Sequence, residues 1–216
     1  MTPGARTDGR RPGTSGAPTV YVVDDDVSVR RSMARLLKSH GFCAETLACA
    51  EDFLALGRYA SPGCLVLDVR MPGLNGLELQ ERMAALNLAL PIVFITGHGD
   101  VPMSVKAMKA GAVDFLPKPF NSKELLSAIR LAIARNKTEA ALGAEAAEVR
   151  RRLSTLTPRE LEVLGLVVKG KMNKVIAADL DLSIKTVKVH RGRAMKKMRA
   201  VSLAELVHMA GTAGIL

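Results

Sequence analysis

From Thr19 onward, short apolar runs rich in β-branched residues alternate with segments whose apolar positions recur at helical spacing. TVYVV at 19–23 is followed by a helical pattern over 27–40 that ends at Gly41, a short strand near 42–47, and a helix near 50–57. CLVLD at 64–68 leads to a helix near 75–86, and IVFIT at 92–96 leads to a helix near 101–110 closed by Gly111. VDFL at 113–116 leads to a helix from about 122 to 136. Strands that are apolar on both faces and joined by crossover helices belong in a parallel sheet covered on both sides. The five repeats therefore predict an α/β doubly wound, five-stranded parallel sheet over residues 19–135.

Residues 1–18, with four Gly, three Pro and no periodicity, are expected to be a disordered tail. Residues 136–152 are rich in Ala and Glu, lack an apolar stripe and end in Arg150-Arg151-Arg152, which reads as a helical or flexible linker. Beyond it the pattern is helical only. Thr157-Pro158-Arg159-Glu160 combines an N-cap, a proline at the first helical position and a Glu able to reach back. Helices follow at about 158–169, 173–180, 184–198 and 202–211, with Ser183 and Ser202 as caps of the last two, so 153–216 reads as an all-α four-helix domain. NKVIAADLDLSIKTVKVHRG at 173–192 reads as two short helices about a turn at Asp181 and Leu182. Ala177 and Ala178 allow close helix contact there, which is the helix-turn-helix pattern. Val187 and Met195 face inward in this reading, while Lys185, Thr186, Lys188 and Arg191 form the polar side. Leu203, Leu206, Val207 and Ala210 suit either core or a dimer surface.

Composition changes the picture mainly through charge. With 48% hydrophobic and 24% charged residues the chain can bury a core, and with no Trp, two Tyr and five Phe that core is expected to be aliphatic. Cys43, Cys49 and Cys64 are odd in number and lack C-x-x-C spacing, which disfavours a disulfide framework or zinc site. No apolar run approaches the roughly 20 residues a membrane span needs, and residues 1–18 have no apolar stretch, so a cytoplasmic protein is expected. The net charge of +10 is uneven: residues 171–199 hold nine basic and two acidic residues. So local an excess suits a polyanion such as nucleic acid, although a solvated helix face explains it equally well.

In a doubly wound sheet, ligands bind in the crevice at the carboxyl ends of the strands. The polar residues there are Asp24, Asp25 and Asp26 after the first strand, Asp68 after the third, Thr96 after the fourth and Lys118 after the fifth. Converging carboxylates repel one another unless a cation joins them, and Mg²⁺ favours a few carboxylate oxygens together with water and phosphate. A Lys and a hydroxyl opposite could hold phosphoryl oxygens, so that transfer to a carboxylate would need mainly positioning and charge neutralisation. Thr96 is equally suited to a strand interior, and one of the three consecutive Asp is spare; Asp26 is assigned to the cap of the next helix. Lys118 lies between Pro117 and Pro119, and its bond to Pro119 is expected to be cis. His98 and the other three His do not cluster.

VVDDD (22–26), LVLDVRMPGLNG (65–76) and TGHGDVPMSVKAMKAGAVDFLPKPF (96–120) resemble the flavodoxin-like receiver domain of two-component response regulators, especially the FixJ-like (NarL/LuxR-type) subgroup. The resemblance implies that Asp68 is the phosphoacceptor, that Asp25, Asp68 and the Arg70 carbonyl bind Mg²⁺, and that Asp24 does so through water. It also implies that Thr96 and Lys118 contact the phosphoryl group and that the Phe115 ring moves when the Thr hydroxyl turns. LTPRELEVL (156–164), TVKVH (186–190) and SLAELVHMA (202–210) resemble the LuxR-type four-helix DNA-binding domain. By that resemblance Lys188 and Val189 enter the major groove, while Asn173, Lys174, Lys185, Thr186 and Arg191 lie near phosphates or groove edges. Gly192 departs from the longer polar residue often found there. It costs a helix interior about 1 kcal/mol against Ala, which hints at close approach to another group.

The function expected is a phosphorylation-dependent transcriptional regulator. A sensor histidine kinase donates to Asp68, the segment 101–116 switches, and a homodimer binds promoter DNA, with RNA polymerase as a further candidate partner. Met103, Val105, Lys106 and Lys109 are candidate dimer residues, although Met at helical spacing also suits a core. The alternatives are a Mg²⁺-dependent phosphatase that hydrolyses its own aspartyl-phosphate, and a receiver that serves only as a scaffold. Val69 and Arg70 leave out the second carboxylate that a haloacid-dehalogenase-like phosphatase places two residues on from its nucleophile.

Overall fold

The computed structural model describes residues 16–97, 101–212 and 214, so most of the 1–18 tail and His98 lie outside the described residues. Two compact units, residues 1–140 and 141–216, divide the chain. The first contains β1 (Thr19–Val23), α1 (Val27–Ser39), β2 (Cys43–Leu47), α2 (Ala50–Ala55), β3 (Gly63–Asp68), α3 (Gly76–Ala85), β4 (Ile92–Thr96), α4 (Val101–Lys109) and β5 (Asp114–Pro117). The strands form one parallel sheet in the order β2-β1-β3-β4-β5. Period-two alternation sends Tyr21, Val23, Leu65, Leu67 and Phe94 to one face, where Phe53, Leu79, Met83 and Ala107 cover them. Val20, Val22, Val66, Val93 and Ile95 go to the other, under Met33, Leu37, Leu125 and Ile129. Either face buries continuous aliphatic surface, which is why the strands read as unbroken apolar runs.

The core is not wholly aliphatic. Tyr21 meets Phe53 edge-on with centroids 5.8 Å apart, and Tyr59 stacks on Phe53 at 4.6 Å. The Tyr21 hydroxyl stays buried by accepting the Ala60 amide at 2.8 Å. Cys64 lies buried in the sheet, where desolvation pushes its thiol up to about 12, and Cys43 and Cys49 are half-buried.

The helix α5 extends farther than the pattern suggests, from Ser122 to Leu153. Asn136, at the start of the expected linker, is buried in the first unit: its side chain accepts the Gly63 amide at 3.0 Å and donates to the Ala89 carbonyl at 3.0 Å. Near the other end Val149 is buried in the second core, and Arg152 donates to the Met198 carbonyl at 3.0 Å. A stretch polar in composition thus carries one anchor to each core, and its sparse apolar content reflects the exposed residues between them.

The second unit adds α6 (Pro158–Val168), α7 (Asn173–Asp179), α8 (Ile184–Met198) and α9 (Leu203–Thr212) around Val163, Val167, Ile176, Val187, Ala194, Met198 and Leu206. The capping box at Thr157 and Glu160 forms on both sides, and Ser183 accepts the Thr186 amide at 3.0 Å. Ala177 is buried at the helix contact, whereas Ala178, one helical step around from the packed face, is exposed. Leu206 and Ala210 are core, and Leu203 is exposed. Among the described residues no helix is long and apolar enough to cross a membrane.

Candidate functional site: an acidic crevice and a basic helix-turn-helix

The strand order places the switch point of the sheet between β1 and β3, and a crevice opens there beyond their carboxyl ends. Asp24 and Asp25 follow β1, Asp68 ends β3, and one carboxylate oxygen from each lies within 4.8 Å of the others. Asp24 and Asp68 are buried and Asp25 is exposed, so the cluster faces solvent on one side. Asp26 turns away as the cap of α1, accepting the Ser28 amide at 2.7 Å, which settles its place among the three. Lys118 reaches over from the end of β5 to donate to Asp24 Oδ2 and Asp68 Oδ2, both at 2.7 Å. The bond between Lys118 and Pro119 is cis.

Burial pushes the Asp24 carboxyl above its ordinary range despite the hydrogen bonds it accepts from Lys118 and the Asp26 amide. Burial works the other way on Lys118, but its hydrogen bonds to the two carboxylates prevail and its pKa is raised. Three carboxylates against one ammonium leave a formal charge of two minus. A divalent cation with oxygen ligands would balance it, and the donor set of two buried carboxylates, one exposed carboxylate and an open water side suits Mg²⁺.

Arg70 is exposed, and its amide donates to Asp68 Oδ1 at 3.2 Å. Thr96 is buried at the end of β4, its carbonyl accepting the Lys118 amide at 2.6 Å. Phe115 is half-buried, 6.1 Å from the Phe94 ring. On α4, Met103 packs against the core beside Ala107, while Val105, Lys106 and Lys109 are exposed and Lys106 pairs with Glu81 at 2.9 Å. The exposed apolar residues Val101 and Met108 stand on the same stripe as Val105, one turn either side of it.

Two supporting residues escaped the sequence reading. Arg30, on the first turns of α1, donates to the carbonyls of Asp24 at 2.6 Å and Asp25 at 2.8 Å, bracing the loop that carries two of the acids. Its position six residues after Asp24 is the available signal, since one helical turn beyond a capped start points back at the preceding loop. Gly76 opens α3 so close to β3 that a Cβ there would lie 2.4 Å from the Asp68 carbonyl oxygen, so only glycine fits.

In the second unit α7 and α8 meet about a turn in which Asp181 takes φ 51°. Lys185, Lys188 and Val189 are exposed along α8, Lys174 is exposed on α7, and Thr186 is half-buried beside the Ser183 cap. Arg191 donates to Asn173 Oδ1 at 3.1 Å and ties the start of α7 to the middle of α8. Lys171 pairs with Asp179 at 2.6 Å. The cap positions the helix and the cations ride on the side away from Val187, Ala194 and Met198.

Comparison with known proteins matches both units. Residues 20–130 match the response regulator receiver domain, and residues 154–210 match the luxR family of bacterial regulatory proteins. Nodulation protein W of Bradyrhizobium diazoefficiens is 49% identical over 196 residues, 91% of this chain and 86% of that one. Transcriptional regulatory protein FixJ of Rhizobium meliloti is 47% identical, over 91% of this chain and 96% of that one. Among solved structures, the response regulator StyR superposes with a TM-score of 0.79 at 49% identity, covering 90% of this chain and 98% of that one.

Proposed function

Since the chain belongs to the response regulators and joins a receiver domain to a luxR-family DNA-binding domain, we propose that it is a cytoplasmic transcriptional regulator controlled by phosphorylation of Asp68. The observation that carries this reading is the meeting of Asp24, Asp25, Asp68 and Lys118 in one crevice of a chain that also bears a basic helix-turn-helix. Residues 19–135 act as the receiver, 136–152 as the connection and 153–216 as the DNA-binding part. A sensor histidine kinase supplies the phosphoryl group. Asp24, Asp25, Asp68 and the Arg70 carbonyl would hold Mg²⁺, which supplies charge neutralisation for the phosphoryl oxygens.

Ionised Asp68 attacks phosphorus, the bond to the donor histidine nitrogen breaks with its electron pair staying on that nitrogen, and the nitrogen takes a proton from water. Lys118 already donates to Asp68 Oδ2 and would follow the new phosphoryl oxygens, leaving Asp24. Thr96 turns its hydroxyl toward the same group and Phe115 fills the space behind it, which biases a pre-existing equilibrium in α4 and β5. The exposed stripe of Val101, Val105 and Met108, flanked by Lys106 and Lys109, then serves as a dimer surface. Two copies of α8 occupy half-sites about one DNA turn apart, with Lys188 and Val189 in the major groove and Asn173, Lys174, Lys185, Thr186 and Arg191 toward the backbone. RNA polymerase is a further partner at such a promoter.

Substitution of Asp68 tests the reading. Wild-type chain given Mg²⁺ and acetyl phosphate takes up phosphate and gains affinity for DNA, and Asp68→Asn does neither. An Asp68→Asn chain that is phosphorylated and binds DNA as strongly as activated wild type would overturn it.

A further inference from the structure

Gly192 lies in the interior of α8, is exposed, and lacks a positive φ. A Cβ built on it would meet nothing within 4 Å. Neither backbone conformation nor packing within this chain therefore calls for glycine at a position where alanine would hold the helix better. The close approach expected from the sequence is not to any described part of the chain itself.

Gly143, Gly165 and Gly211 are open helical glycines too, but their surroundings differ. One turn before Gly192 stands Lys188 and one turn after it Lys196, with Lys185 and Val189 on the same side, all exposed. Val187, Ala194 and Met198 point the other way into the core. The glycine is thus a notch in the middle of the cationic face.

We infer that Gly192 is the point where α8 comes closest to the DNA. The missing side chain lets the helix backbone settle against the groove wall, so that Lys185, Lys188 and Val189 reach their targets from a helix lying deeper than a side chain at 192 would allow. The glycine loosens the free fold and tightens the complex. This rests on the placement of α8 in the major groove made above.

The test is Gly192→Ala in the full-length chain, with Lys188→Ala beside it, on a duplex selected from a random pool by the activated wild-type protein. Gly192→Ala should raise the thermal midpoint of the second unit by about 4–8 °C. It should also weaken binding to the selected duplex about tenfold, the effect of one unfavourable contact in a specific interface. A raised midpoint with unchanged affinity would overturn the inference, and so would a midpoint that stays level or falls, since the glycine would then serve the fold. Should Lys188→Ala bind as wild type does, the placement of α8 itself fails. Loss of binding in Lys188→Ala alone leaves that placement standing and removes only the role of Gly192.

Discussion

Asp24 is fully buried, and burial raises its pKa even with Lys118 at 2.7 Å. Holding it ionised therefore costs the metal-free fold free energy, and the cost has a definite pH dependence. Below the unfolded-state value of about 3.9 the group is protonated in both states and costs nothing. As pH rises past that value and through the raised folded value, the unfolded chain ionises more readily and stability is lost. Asp24→Asn should accordingly raise the thermal midpoint of the first unit at pH 7 in the absence of Mg²⁺, with the gain fading as pH falls toward 4. The same variant should lose most of the stabilisation that added Mg²⁺ gives wild type, because a ligand that binds only the folded state stabilises in proportion to its affinity. A calorimetric pH series with and without Mg²⁺ reads both effects. An Asp24→Asn protein less stable than wild type at pH 7 would place the carboxylate among the supports of the fold.

At the scale of the element, Glu160 closes the capping box of α6 and also accepts a hydrogen bond from Lys197 of α8 at 2.6 Å. Lys197 is the first cause holding this carboxyl below its ordinary range, followed by the Thr157 amide. A depressed folded pKa contributes stability above the unfolded value of about 4.3, and that stability is lost as pH falls through the folded value. Glu160→Gln keeps a side chain able to close the capping box but removes the charge that faces Lys197, so it should destabilise the second unit at pH 7 and progressively less in acid, as urea unfolding at pH 7 and pH 3.5 would show. The capping half of this was legible as Thr-Pro-Arg-Glu, because a cap is a local event. Its link to Lys197 was not, since the partner is 37 residues away and appears in the sequence only as one Lys among many. The same distinction explains α5, whose course past residue 136 depends on two distant anchors, Asn136 and Val149, set in an Ala- and Glu-rich stretch without periodicity. The strands, by contrast, were legible because burial on both faces writes itself into every residue of a run, and the acids because strand ends fix where ligands collect.

For the whole molecule, the charge of +10 matters through the part of it that is uncommitted. Of the nine basic residues in 171–199, Lys171 and Lys197 are in ion pairs and Arg191 is bonded to Asn173. The side chains of Lys174, Lys185, Lys188, Arg193, Lys196 and Arg199 make no such contact with the described residues. Each cation that neutralises a phosphate releases counterions, and the logarithm of the binding constant falls with the logarithm of salt by about 0.9 per phosphate contact. These six and Arg191, whose partner Asn173 is uncharged, cap the slope at about −6 for one copy, and two copies on one duplex should double it. Unphosphorylated chain binding singly should show the shallower slope and activated chain the steeper one, in a titration of binding against potassium chloride. Lys185→Ala should reduce the slope of the activated form by about 2, one for each copy, whereas Lys171→Ala, whose cation is already paired, should change it little. Equal slopes before and after activation would mean that phosphorylation changes affinity without changing the number of copies on the DNA, and the exposed stripe of α4 would then have no part in binding.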